Sequence, residues 1–337
     1  MSRIRTAVIG VGAFGRNHVR VLSQLADAEL IAIVDTDLQK AQQLAATHGA
    51  SAFATIEELL DRIDAAVVAT PTMTHEAIAT RLLESGIDVL VEKPIADSSA
   101  AGERLATLAK DRGLILQVGH LERFNPAVMA LEKALTVPLF FEIHRLSVFT
   151  PRSLDIDVVL DLMIHDLDIV LSFTRELPEE TRAAGISVLS PRIDIANVRL
   201  SFASGCVANL TASRISTEKI RKLRLFQPGE YLSVDYERQD ASRLAIRRGV
   251  GRQSSPAIRP SMTEIAFESQ IGFESLPVEK QEPLHLELAS FLTAVRERAE
   301  PRLDGFQAAN ALRVAENILV KIEEHAHLVS ETIRRRT

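Results

Sequence analysis

The strongest constraint on the fold is a rhythm in the first 120 residues. Near-continuous runs of Val, Ile, Leu and Ala at 4–9, 30–35, 65–70, 88–92 and 114–118 alternate with segments at 14–25, 38–48, 75–84 and 98–111. The apolar runs show little polar alternation, as in strands of a parallel sheet covered on both faces. The intervening segments carry Ala and Leu at i, i+3 and i+4 spacing and read as amphipathic helices. A chain of this kind builds a doubly wound α/β domain, with its ligand crevice at the carboxyl ends of the strands.

The rhythm stops near residue 120. "LFFEIHRLSVF" (139–149) reads as a strand, and "ANVRLSFASGCVANLTASRIS" (196–216) as a hairpin turning at Ser204-Gly205. A second hairpin at 221–237 turns at Pro228-Gly229, and "SRLAIRR" (242–248) adds a strand. One long helix is expected at 157–173, and two helices at 282–299 and 305–325 close the chain. The polar, breaker-rich segment 249–264 reads as a loop whose order and closure over a site stay open. We therefore expect two domains, 1–122 and 123–337, the second of α+β type.

Composition narrows the partners. Apolar residues make up 46% of 337, enough for large cores. The formal net charge of -6 is spread along the chain, which argues against nucleic acid as a partner. Cys206 is the only cysteine, so the natural compartment is a reducing cytoplasm. "MSRIRTAVIGVGAFG" has the charge of a signal peptide, but glycines break its apolar run and no cleavage site follows. No apolar stretch approaches the roughly 20 residues that span a bilayer, so no membrane association is expected.

"AVIGVGAFGRNH" places Gly10, Gly12 and Gly15 in G-x-G-x-x-G spacing, after a strand and at the start of a helix. Gly10 allows a tight turn, Gly12 lets the backbone approach a pyrophosphate, and Gly15 lets helix and strand pack closely. Ala13 and Phe14 lie between the glycines, at the helix N-terminus that faces the phosphates. Asp35 stands 20 residues beyond Gly15, at the end of the second strand. Its carboxylate suits a ribose diol and, with Asp37, repels a 2′-phosphate, so NAD is expected rather than NADP. The competing reading is a glycine turn with a helix-capping aspartate.

Two further segments carry chemistry-bearing residues. In "DVLVEKPIADSS" (88–99), Glu92 and Lys93 end a buried strand, and Pro94 fixes how the chain leaves it. A lone EKP reads equally as a surface lysine. In "DLMIHDLD" (161–168), Asp161 and His165 stand at i and i+4 on a helix face. That face reads as a metal site with Asp166 and Asp168, as solvated charge, or as a proton-transfer site.

The ordered set GVGAFG (10–15), ATPTMTH (69–75), EKP (92–94) and DLMIHDLD (161–168) resembles the glucose–fructose oxidoreductase/inositol dehydrogenase family, Gfo/Idh/MocA. The resemblance spans essentially the whole chain. It implies an N-terminal Rossmann domain and a C-terminal α+β domain with a large open, mainly antiparallel sheet. That sheet often carries the oligomer contact, so a homodimer or homotetramer is implied. Family members oxidise or reduce a secondary alcohol of a sugar or cyclitol with a nicotinamide. By this resemblance Lys93 binds the reacting hydroxyl, His165 is its base or acid, and Asp161 lies close to the substrate, with no metal. Thr70, Pro71, His75, Glu92 and Lys93 would line the nicotinamide side. "VGHLERFNPAV" (118–128) would enter the cleft, with Arg123 and Asn125 on substrate and Phe124 over a ring; a domain-joining turn ended by Pro126 is the other reading. Asp166 and Asp168 read as structural.

One branch of the family carries GH-x-ERFNP with DLMIHD-x-DIV, as this chain does, and is associated with oxidation of UDP-N-acetylglucosamine at its 3-hydroxyl, on the route to an amino sugar of lipid A. "ASRISTEKIRKLR" (212–224) concentrates Arg214, Lys219, Arg221, Lys222 and Arg224 in an acidic protein. Such a patch suits a diphosphate, with Arg214 and Lys222 as candidate contacts; a solvated hairpin is the alternative. Inositol or free-sugar dehydrogenation, NAD-dependent glycoside cleavage and a non-catalytic NAD-binding regulator are the competing functions.

Overall fold

The computed structural model describes residues 2–150, 156–248 and 269–336, so the loop expected at 249–264 lies outside the described residues. The first part contains β1 (Ile4–Ile9), α1 (Ala13–Leu22), β2 (Ala28–Val34), α2 (Leu38–His48), β3 (Ser51–Phe53), β4 (Ala65–Val68), α3 (His75–Glu84), β5 (Asp88–Glu92), α4 (Ser99–Asp111) and β6 (Leu116–Gly119). Its six strands lie in the order β3-β2-β1-β4-β5-β6, all paired in parallel. The order reverses direction between β1 and β4, and open α/β sheets bind ligands at such a switch point. Val89, Leu90 and Val91 of β5 are fully buried, as the apolar run requires.

The second part has α5 (Pro126–Ala134), β7 (Phe140–Val148), α6 (Ile164–Thr174), β8 (Glu180–Ile186), β9 (Ile195–Ser201), β10 (Val207–Ser216), β11 (Ile220–Gln227), β12 (Glu230–Asp235), β13 (Asp240–Arg248) and β14 (Ser269–Ser275). These eight strands are ordered β14-β13-β12-β11-β7-β10-β9-β8. Every pair is antiparallel except β7 with β10. Gly205 and Gly229 take positive φ at the two expected turns. The helix expected at 157–173 is divided. A π turn over Val159–Met163 comes first, in which the Ile164 amide donates to the Val159 carbonyl, and α6 follows.

Two closing helices, α7 (Pro283–Glu297) and α8 (Gly305–Arg336), tie the parts together. Leu284, Leu288, Phe291 and Leu292 of α7 pack with the core beneath β1 and β2. Ala308 and Leu312 of α8 join the other core of the parallel sheet, while Val314, Ala315, Ile318 and Ile322 enter the core of the second sheet.

One ion pair anchors α6 to the second sheet. Arg145 of β7 is only 2% exposed, and its Nε and Nη2 donate to both Asp166 oxygens at 2.7 Å. Its Nη1 donates to Glu122 at 2.9 Å, and its guanidinium lies over the Tyr236 ring. We expect Arg145→Met to strand two carboxylates and to lower the unfolding free energy by about 3–5 kcal/mol. Urea titration measures this; a loss within about 0.5 kcal/mol, typical of a surface change, would contradict it.

Candidate active site

The glycine loop is built as its spacing demands. Gly10 has φ +89, and a Cβ there would lie 2.6 Å from the Ala69 carbonyl oxygen. A Cβ on Gly15 would lie 1.8 Å from the Gly10 oxygen. At Gly12, by contrast, a Cβ would meet no heavy atom within 4 Å. Gly12 caps α1 without a side-chain hydrogen bond, leaving first-turn amides available to an anion. Ala13 and Phe14 open that helix, and Phe14 is exposed. Asp35 is locked against the loop: its Oδ2 accepts from the Val11 amide and its Oδ1 from the Asp37 amide, each at 2.8 Å. Each carboxylate oxygen retains acceptor capacity for a ribose hydroxyl. The residues present therefore fit a dinucleotide.

β5 delivers Glu92 and Lys93 beside this loop. The Lys93 Nζ donates to the Asp161 carbonyl oxygen at 2.8 Å and lies 3.5 Å from Asp161 Oδ1. The Lys93–Pro94 peptide bond is cis. His75 is buried; its Nδ1 lies 2.9 Å from the Pro94 carbonyl and its Nε2 2.8 Å from the Thr70 carbonyl. Both ring nitrogens are thus used within the protein, and His75 staples the Thr70–Pro71 loop to the turn after Lys93. Burial lowers the Lys93 pKa, against the opposing pull of Asp161 and Glu92.

His165 opens α6 near this ammonium. Burial, followed by the charges of Lys93, Arg145, His120 and Arg221, holds its imidazole well below the ordinary value. His120 packs edge-on to it, with ring centroids 5.9 Å apart, and burial lowers its pKa too. His120 was not among the expected site residues, although it stands in the GH-x-ERFNP segment directly after the last strand of the parallel sheet. His18 was also missed. Its Nε2 lies 2.6 Å from Glu92 Oε1, joining α1 to β5.

The other expected contacts are engaged elsewhere. Arg123 is buried against Asp168 at 2.9 Å and borders a cavity of about 550 Å³ with Ser172, Arg302 and Gln307, which Lys93 and His165 do not line. Asn125 caps α5 by accepting from the Ala127 amide, and donates to Glu122 and to the Tyr236 carbonyl. Phe124 is buried in the protein. A short 3-10 turn over Leu121–Phe124 ends just before Pro126, which opens α5 as its first residue. Arg214 is buried, donates to the Ile156 carbonyl, and lies 3.9 Å from Asp194. The proposed role of Lys222 meets a correction from strand parity. Lys222 is exposed and 3.9 Å from Asp235, whereas its neighbour Arg221 shares the inward face of Leu223 and Leu225 and pairs in register with Arg145. Among the described residues no cluster of three or more metal-ligating side chains forms.

A loop shaped for a dinucleotide, with a lysine at the same edge of the sheet and a histidine of depressed pKa near it, defines the class, a dinucleotide-dependent oxidoreductase. Residues 4–120 match the oxidoreductase family with an NAD-binding Rossmann fold, GFO_IDH_MocA. A UDP-N-acetylglucosamine 3-dehydrogenase of Acidithiobacillus ferrooxidans is 34% identical over 325 residues, covering 96% of this chain and 98% of its own. A solved structure of that protein matches with a TM-score of 0.86 over 96% of this chain and 99% of the other. An inositol 2-dehydrogenase of Rhizobium meliloti is 26% identical over 338 residues, covering 95% of this chain and 97% of its own. A levoglucosan dehydrogenase in complex with NADH shares the fold, with a TM-score of 0.81 at 16% identity, over 96% of this chain and 98% of the other. This chain belongs to the Gfo/Idh/MocA oxidoreductase family and is a dehydrogenase.

The two shifted groups set an expected pH profile. If His165 is the base, alcohol oxidation needs it neutral, and the acidic limb should fall below the ordinary imidazole value of 6.5. If Lys93 donates to the reacting hydroxyl, it must be protonated, and the alkaline limb should fall below the ordinary lysine value of 10.5. The pH dependence of kcat/KM, which reports the groups of the free enzyme, tests this across both limbs. A limb centred above either ordinary value would refute the corresponding assignment.

Proposed function

We propose that this dehydrogenase uses NAD to oxidise the 3-hydroxyl of UDP-N-acetylglucosamine to the 3-keto sugar. The observation that carries the chemistry is the Lys93 ammonium, held by Asp161 near a His165 of depressed pKa, at the same carboxyl edge of the parallel sheet as the glycine loop. The near-full-length likeness to the UDP-N-acetylglucosamine 3-dehydrogenase supports the substrate. Asp35 at the ribose position supports NAD over NADP.

When bound, the nicotinamide accepts a hydride. Lys93 hydrogen-bonds the reacting hydroxyl and stabilises the alkoxide as it develops. His165 takes the hydroxyl proton, and its depressed pKa keeps it ready to do so. Asp161 positions the ammonium. Inositol or free-sugar oxidation is the second reading, favoured by the inositol 2-dehydrogenase likeness.

The test is NADH or NADPH formation with UDP-N-acetylglucosamine, free N-acetylglucosamine and inositol. We expect the nucleotide sugar with NAD to be turned over most efficiently, and Lys93→Ala and His165→Ala each to slow it by about 10²–10⁴-fold. Efficient oxidation of inositol with none of the nucleotide sugar would install the second reading.

We further propose a homodimer or homotetramer through the outer face of the eight-stranded sheet. Phe140, Phe226, Tyr231, Leu244 and Phe273 align in register across five strands on that face. Neighbouring rings lie 5.7 and 5.1 Å apart, and Phe273 is 67% exposed. A contiguous apolar ladder on a sheet face marks an interaction surface. Light scattering should give a dimer or tetramer, and Phe273→Glu should dissociate it; a monomeric unmodified protein would refute this.

A further inference from the structure

We propose that Arg221 is the anion-binding residue of the substrate cleft and grips a phosphate of the sugar substrate. The inference rests on the proposed nucleotide-sugar function and names a contact that the basic hairpin alone did not reveal. Strand alternation turns Arg221 inward with Leu223 and Leu225, toward the face that α6 covers, and its register partner on β7 is Arg145. Its charge adds the smallest share to the lowering of the His165 pKa, after burial, Lys93, Arg145 and His120.

The cations around it are all neutralised. Arg145 is held by Asp166 and Glu122, Arg123 by Asp168, and Lys93 by Asp161. Arg221 alone in this group has no carboxylate or carbonyl partner among the described residues, and its Nε is buried without a hydrogen bond. The side chain is half-buried, and a buried donor such as its Nε is costly to leave unmade unless a ligand supplies the acceptor. A guanidinium fork matches phosphate oxygens bidentately. The phosphate on C1 of a hexose lies within a ring's width of a hydroxyl reacting at His165, so one substrate can meet both groups.

The experiment compares Arg221→Met and Arg221→Lys with the unmodified enzyme. With UDP-N-acetylglucosamine, Arg221→Met should raise KM about tenfold or more, while kcat stays within about threefold and the KM for NAD is unchanged. Arg221→Lys should fall between, because an ammonium keeps the charge without the fork. Oxidation of unphosphorylated N-acetylglucosamine, where measurable, should be insensitive to both changes. Calorimetry with UDP and NADH should show the same tenfold loss without any turnover. An unchanged KM and unchanged UDP affinity in Arg221→Met, or an equal loss on the neutral sugar, would overturn the inference. Absence of turnover of UDP-N-acetylglucosamine by the unmodified enzyme would instead overturn the proposed function, and the UDP titration would still decide whether Arg221 binds phosphate.

Discussion

The hydrogen bond from Lys93 to Asp161 is the contact on which the polar part of the site depends. It joins the end of a parallel strand to a π turn that leads into a helix packed on the other sheet. An ammonium taken out of water needs compensation, and here a carbonyl, the Asp161 carboxylate and Glu92 supply it. The compensation is incomplete, since the Lys93 pKa still falls. That residual cost suits the chemistry. A lysine that holds its proton less tightly than in water responds to a developing alkoxide, and perturbed values of this kind gather where proton transfer occurs.

Hydrophobic burial, more than the polar contacts, fixes where Asp161 and His165 stand. Ile164 belongs to the core of the parallel sheet, while Met163, Leu167, Ile169 and Val170 belong to the core of the second sheet. Leu160 packs against both. The segment carrying Asp161 and His165 is therefore wedged between two cores, and α8 bridges the same two cores farther along the chain. Side chains so enclosed sit in dense packing that resists small shifts. This rigidity keeps the polar groups of the site in register with the glycine loop, although they come from different sheets.

Much of this was legible in the sequence, and the failures have physical reasons. Continuous apolar runs announce buried parallel strands, so β1, α2, α3 and β5 fall at their expected places. β3 has only Ser51–Phe53, too few residues to show a period. β8, "ETRAAGI", lacks the alternation that marks a half-buried strand. An i, i+4 rule places Asp161 and His165 on one face of an α-helix, but the π turn between them follows from packing that no local pattern records. Composition alone does not separate Lys222 from Arg221; strand parity does, because it decides which face each side chain reaches. His18 and Glu92 are 74 positions apart, and their contact exists only once β1 and β5 share a sheet.

The glutamate of "VEKP" acquires a role from that contact. Burial pushes Glu92 up, but the His18 hydrogen bond and the Lys93 charge outweigh it and hold the carboxyl below its ordinary range. Glu287 of α7 is fully buried and has no hydrogen-bond partner for either carboxyl oxygen. Burial and the Glu92 charge push it well up, so the charged form is favoured at Glu92 and disfavoured at Glu287. The division keeps a negative charge next to Lys93, where it opposes loss of the ammonium proton, and avoids a second charge that nothing would balance. Gly119 on the adjacent strand makes the arrangement possible, since a Cβ there would lie 3.1 Å from the Glu92 carboxyl. Glu92 therefore bears on the charge state of Lys93, and His18 and Gly119 bear on it through Glu92.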